Sequence, residues 1–286
     1  MPIVGRGWRD HLYAEVTPHS GALAWIPRGI VLGLIAFAVF GPLMNLALWA
    51  FAEQWYYPHK LPVTYGFRFW NQVFKPRGDA LDSLWTSIVI ARTTVALCLA
   101  ISVPAGYALA RLKLPARTLI MLAFLLPQAF PSLAVYINIA RIFYGLGLNG
   151  TVAGVVLVHT VHGLVFGVWI ATAAFAAIDR DLELAARNIG ASAMRTFLTV
   201  TLPLAAPGIM ASAVFVFLES LDEFTGTYFV GVPDVTTLPL LMFTASLAGN
   251  YQIAAITALV LLIPSIVFML LVERFLKADV MAKVGA

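Results

Sequence analysis

Three acids stand three and four residues apart near the end of an apolar run: Glu219, Asp222 and Glu223. At helical spacing they share one side of the helix. An ionisable group inside a bilayer costs ~2.5–3.5 kcal/mol on insertion scales, so it normally faces a cavity or a partner. Two readings follow: the acids line a path that attracts a cationic solute, or Asp222 and Glu223 already lie in the headgroup layer. Arg92 is a further charge inside an apolar run, about eight residues below its outer start and thus ~12 Å deep. Glu219 lies ~5–6 Å below the end of its own run, and the length of an arginine spans the difference. Three settings are open to Arg92: an ion pair with Glu219 or Asp222, a hydrated cavity, or an acid of a partner chain.

His159 and His162 are three residues apart in another apolar run. A metal site there needs further ligands, for which the nearby candidates are the same acids, whereas a pair facing the interior of a bundle needs only hydrogen-bond partners. Asn45, Gln128 and Asn138 read as interhelical hydrogen-bonding groups. Ser87, Ser102 and Ser132 have no histidine at a readable spacing, so no nucleophile, base and orienter assemble and hydrolase chemistry has no support. The single Cys98 excludes an intrachain disulfide and a cysteine metal cluster.

The elements that position these groups are membrane spans. Hydrophobic residues make up 61% of the chain and charged ones 11%, against ~45–50% and ~25% in soluble domains. The net charge of +4 is modest, and basic residues do not interleave with aromatics as in nucleic-acid binders. Met1 to Arg28 reads as a polar tail in which Trp8, Leu12 and Tyr13 form a short interfacial face. No signal-peptide pattern precedes the first run. Spans are expected at about 29–52, 84–110, 118–140 (with Pro127 and Pro131 inside it), 152–178, 204–222 and 253–272. Glu53 to Asp82 carries Trp55, Tyr56, Tyr57, Pro58, Trp70 and Phe74, a loop at the headgroup level. Residues 223–250 form a long outer connection with a helix near Leu240–Leu247, and 273–286 a charged tail. With the N-terminus inside, twelve Lys and Arg fall on the cytoplasmic side and five outside, which places both termini in the cytoplasm.

Between the fourth and fifth spans lies Asp179–Pro207, DRDLELAARNIGASAMRTFLTVTLPLAAP, where charges recur every few residues. Leu182, Ala185, Ala186 and Ile189 fall on one face of a short helix. Gly190 supplies a positive backbone angle between two helices, the second running from about Ser192 to Val200. Pro203 then reads as a first-turn residue of the next span. Ala185, Ala186, Gly190, Leu202 and Pro203 match the offsets of the cytoplasmic Glu-Ala-Ala loop of binding-protein-dependent ABC import permeases. In the place of the motif glutamate stands Leu184, with Glu183 one position earlier.

The chain therefore resembles the permease subunits of type I ABC importers, and the resemblance covers nearly its whole length. It implies an all-α integral membrane fold of six spans with MetI-like architecture. The permease domain is 29–272 and the coupling loop to an ATPase is 179–201, with Glu183, Ala185, Ala186, Arg187, Gly190, Ala191 and Ser192 as its contact residues. Glu219, Asp222, Glu223 and Arg92 would border the substrate path. The implied partners are a second permease subunit of different sequence, two ATP-binding subunits, a periplasmic or extracellular solute-binding protein and membrane lipid, with no nucleic acid. No cofactor is expected in this chain, which has no GxxxxGK[ST] phosphate loop. ATP and Mg would bind the partner subunits, and the location would be the bacterial inner membrane. SLDEF, at Ser220–Phe224, resembles the corresponding stretch of polyamine-type permeases and points to a polyamine or similar small cation. Phosphonate, thiamine, ferric ion and opine-like solutes stay open. A different class, a secondary transporter using Glu219 and Asp222 as an ion relay, would show an inverted internal repeat, and none is visible.

Overall fold

A computed structural model describes residues 25–75 and 79–284. Most of the expected N-terminal tail, with Trp8, Leu12 and Tyr13, and also Arg77, lies outside these residues. The chain divides into two units, Met1–Ala47 and Leu48–Ala286. In the first, α1 (Trp25–Phe51) begins as an apolar helix whose side chains from Arg28 to Phe40 are exposed. A stretch of helix apolar all round with nothing buried, as from Arg28 to Phe40, is built for lipid or for another chain.

The second unit starts with the end of α1 and continues through thirteen further helices and strands. They are β1 (Ala52–Gln54), β2 (Thr64–Tyr65), α2 (Arg68–Val73), α3 (Asp79–Arg111), α4 (Arg117–Ala129), α5 (Ser132–Leu146) and α6 (Val152–Ala176). The loop helices α7 (Arg180–Asn188) and α8 (Ala193–Thr196) follow, and then α9 (Leu202–Asp222), α10 (Thr225–Val230), α11 (Leu238–Leu247) and α12 (Tyr251–Val284). Among the described residues five helices are long and apolar enough to cross a membrane, or six if the bent pair α4–α5 counts as one span.

Helix α6 is the central post, with most of its length buried and α3, α4, α5, α9 and α10 packed round it. Small residues let backbones close in: a side-chain carbon added at Gly106 of α3 would lie 2.8 Å from Ala171 Cβ of α6. Apolar clusters mark the levels of the bundle. Ile90, Tyr136, Val155, Val158 and Val230 pack towards the α10 end. Phe175, Ile178 and Ala205 pack at the loop end, joined by Tyr107 and Phe197. Between α3, α9 and α12 lie Ala91, Phe217 and Leu221, with Phe217 stacked on Phe268 at 4.0 Å.

Several expectations need correction. The third span is not one kinked helix, because α4 and α5 meet at 96° across Phe130–Pro131. Proline at 131 has no amide to continue the ladder and forces the preceding residue to extend, here φ −104° and ψ 150° at Phe130. Helix α5 then runs on to Leu146, through residues expected as loop. The aromatic segment after α1 is not a plain loop: β1 and β2 pair antiparallel, Trp49 stacks on Trp55 at 4.3 Å and Trp70 donates to the Ala50 carbonyl. The C-terminal residues expected as a tail extend α12 to Val284. Asn45 and Gln128 are exposed and Asn138 bonds Ala134 of its own helix, so none of the three bonds another helix among the described residues.

Candidate functional site

Helix α9, with 21 residues and thus ~31 Å of rise, connects two clusters of polar side chains. At its C-terminal end the three acids separate into different roles. Glu223 is engaged on both oxygens: Tyr136 donates its hydroxyl to Oε2 at 2.7 Å, and the Gly226 amide donates to Oε1 at 2.8 Å. His162 Nδ1 is 2.9 Å from the same Tyr136 hydroxyl. One turn away, His159 bridges Ser220 at 2.8 Å and Thr227 at 3.0 Å. The histidine pair thus faces the bundle interior in hydrogen bonds, and the network ties α5, α6, α9 and α10 together. Tyr136, fully buried at its centre, carried no readable sequence signal: a lone tyrosine in an apolar run looks like any interfacial aromatic.

Glu219 and Asp222 are different. Glu219 is half-buried, Asp222 exposed, and neither makes a hydrogen bond or ion pair among the described residues. The expected pairing with Arg92 is not formed; Arg92 is exposed on α3 and bonds to neither carboxylate. Depth is not the obstacle, because Ala91, adjacent to Arg92, shares a cluster with Phe217 and Leu221. The obstacle is direction. At 100° per residue, Glu219 and Asp222 lie about 200° and 140° round α9 from Phe217, while Arg92 turns about 100° away from Ala91. The cation and the acids sit at one level, each turned away from the α3–α9 contact.

At the other end, Asp179 caps α7 by accepting the Asp181 amide, and Ser192 caps α8 by accepting the Arg195 amide. Gly190 holds φ +91°, the left-handed turn its position called for. One expectation fails here. Helix α8 is only four residues long and passes through a π-helical turn, Phe197–Thr201, directly into α9. The buried side of α7 is not the apolar one, since Leu182 and Leu184 are exposed, as is Ile189 at 88%, and Glu183 is the buried residue.

Glu183 points inward to a set of donors. Arg111, the last residue of α3, places Nε 3.0 Å from Glu183 Oε1, and Thr201 donates to the same oxygen at 3.0 Å. Arg111 Nη2 also donates to the Ile178 carbonyl at 2.9 Å, while Arg180 reaches the carbonyls of Ala110 and Arg111. The Glu183 carboxylate therefore fastens α7 to the end of α3 and to the π-helical turn that leads into α9, and through Arg111 to the carbonyl just after α6. Glu183, expected among the contact residues of the loop, is its inward anchor, and nothing in the sequence singles out Arg111 as its partner.

The profile of the binding-protein-dependent transport system inner membrane components matches residues 102–278, from mid-α3 to the end of the bundle. The chain belongs to this family. Among related permeases, the trehalose transport system permease protein SugB of Mycobacterium tuberculosis is 32% identical over 75% of this chain and 80% of its own. PhnV of Salmonella typhimurium, provisionally named a 2-aminoethylphosphonate transport system permease protein, is 30% identical over 89% of this chain and 98% of its own. The fold is shared with a bacterial ABC transporter involved in alginate import, at TM-score 0.68 and 17% identity over 96% of this permease and 99% of that chain. The MetNI methionine ABC transporter aligns at TM-score 0.57 and 19% identity, over 70% and 95% of the two chains. This protein is a multi-pass, all-α permease subunit of an ABC importer. No relative named above is a polyamine permease by its name, so the polyamine assignment finds no support in them.

Proposed function

We propose that this permease forms half of the path for a small amino-bearing solute, of the aminophosphonate type, delivered by a solute-binding protein. The observation that carries the reading is the pair Glu219 and Asp222. They share the open face of α9 and no donor within the described chain engages them, while Glu223 is taken up by Tyr136 and Gly226. Two carboxylates left for an outside partner suit an ammonium group, and an aminophosphonate carries one. The near-complete overlap with PhnV supports the same class.

The rest of the machinery follows the family. A second permease of different sequence completes the path, and two ATP-binding subunits with their Mg and ATP dock on the loop 179–201. The contact surface is Ala185, Ala186, Arg187, Gly190, Ala191 and Ser192, with Glu183 acting from behind as the anchor. The location is a bacterial inner membrane with both termini in the cytoplasm. Closure of the ATP-binding pair rocks the bundle between two states.

The test is uptake by the complete importer in vesicles. E219Q and D222N should each lower 2-aminoethylphosphonate transport about tenfold, as for ~1.4 kcal/mol of lost interaction, with affinity of the binding protein unchanged. Trehalose as the transported solute, at equal rates in both variants, would sink the amino-bearing reading and favour a neutral polyol.

A further inference from the structure

Arg180, Glu183, Leu184 and Arg187 recur at spacings of three, four and seven and so share one face of α7. Across from that face the end of α3 contributes Tyr107, Arg111 and Leu112, and a half-open cleft of about 310 Å³ lies between the two. Its walls are of two kinds. Leu112, Leu184 and Tyr107 are apolar or amphipathic, and the remainder are three guanidiniums and one carboxylate.

The carboxylate is spoken for, since Glu183 is paired with Arg111. Arg180 donates to two backbone carbonyls, which do not neutralise it. Arg187 is exposed, and neither Arg180 nor Arg187 pairs with a carboxylate among the described residues. Asp179 and Asp181 are on the same segment, but neither lines the cleft, and Asp179 is occupied by the Asp181 amide. Two positive charges are therefore left facing the space. The level matters as much as the charge. Arg111 ends the candidate span Ala80–Arg111, whose ~48 Å of rise exceeds the ~30 Å of hydrocarbon, so a centred span puts the cleft at headgroup level.

We infer that this cleft binds the phosphate-bearing headgroup of an anionic phospholipid, with its acyl chains along Leu112 and Tyr107. Basic pockets at the membrane-facing base of helices suit such headgroups. A free phosphate would satisfy the two guanidiniums and leave the apolar walls unused. A lipid wedged there braces the angle between the loop and α3, which makes the transmission of loop movement sensitive to lipid charge. The inference rests on reading α3 as a span and not on the identity of the solute, so the two fail separately.

The test uses the complete importer in phosphatidylcholine vesicles containing a minor fraction of phosphatidylglycerol, released gently and read by native mass spectrometry. The wild-type complex should retain phosphatidylglycerol. R180Q/R187Q should retain about 10–30-fold less, from ~1 kcal/mol for each basic group at the surface, and R180K/R187K should keep most of it. If the double variant does not insert, R187Q alone serves, since Arg187 makes no bond that holds the fold; because Arg187 also lies on the loop's docking surface, the comparison is made only between complexes that keep both ATP-binding subunits in the same spectrum. Displacement by soluble glycerol phosphate would transfer the site from lipid to a free phosphate. Equal retention of phosphatidylcholine, or equal retention by wild type and variant, overturns the inference. A photoreactive residue at Leu112 should label lipid; labelling of an ATP-binding subunit in its place would assign the cleft to that partner.

Discussion

A single carboxylate oxygen holds three segments together: Glu183 Oε1 meets both Arg111 Nε and Thr201 Oγ1 at 3.0 Å. Removing one member of a buried pair strands the other, typically at ~3–5 kcal/mol. R111A should therefore destabilise the purified permease by about that amount in denaturant titration, and a loss under ~1 kcal/mol would mean that water already reaches the pair. Tyr136 is the equivalent at the far end of α9. Y136F removes the donor to Glu223 and the partner of His162, so a cost of ~1–3 kcal/mol is expected. A double-mutant cycle with E223Q should be strongly non-additive, and simple additivity would argue that the two side chains do not share the bond. These residues show what the sequence concealed. Spacing put Glu219, Asp222 and Glu223 on one helix face but could not tell that a tyrosine 87 positions away occupies the last of them. Charge made Glu183 look like a surface residue, because its partner lies 72 residues back in the chain.

Elements were more legible. A span needs ~20 apolar residues in a row, and such runs leave little freedom, which is why α3, α6, α9 and α12 fall where the runs do. Helix-breaking residues were legible as places and not as angles. Pro127 and Pro131 announced a disturbance, but the 96° turn depends on what α5 packs against, namely α6 and α10. Arg92 failed in a similar way, since rise along a helix follows from counting while direction depends on which face the neighbours take. Gly190 was readable in full because few other residues tolerate φ +91°. Replacing it by valine should add ~1–3 kcal/mol of local strain at a site where nothing crowds the added carbon. G190V should accordingly insert normally yet hydrolyse ATP without matching transport. Wild-type coupling ratios in that variant would show that the turn has no part in force transmission.

On the scale of the whole molecule, the open face of α9 should be wetted by the translocation path and the outer face of α3 by lipid. Cys98 is buried and gives no background, so single cysteines can report this directly. D222C should react with an impermeant maleimide about tenfold or more faster than W85C, because thiolate formation needs water; equal rates would place both residues in the same medium. The loop is joined to this face without an interruption, and the π-helical turn Phe197–Thr201 sets the phase of the joint. A π turn holds one residue more than the helix on either side, as if a single residue had been inserted. Deleting one residue there would let the helix heal as a regular α-helix, with no loss of hydrogen bonding. The loop would then be swung about 100° round the axis of α9, carrying Glu183 away from Arg111. An importer shortened in this way would keep its spans and fall out of gear, the loop unfastened from α3 and no longer timed to the far end of α9.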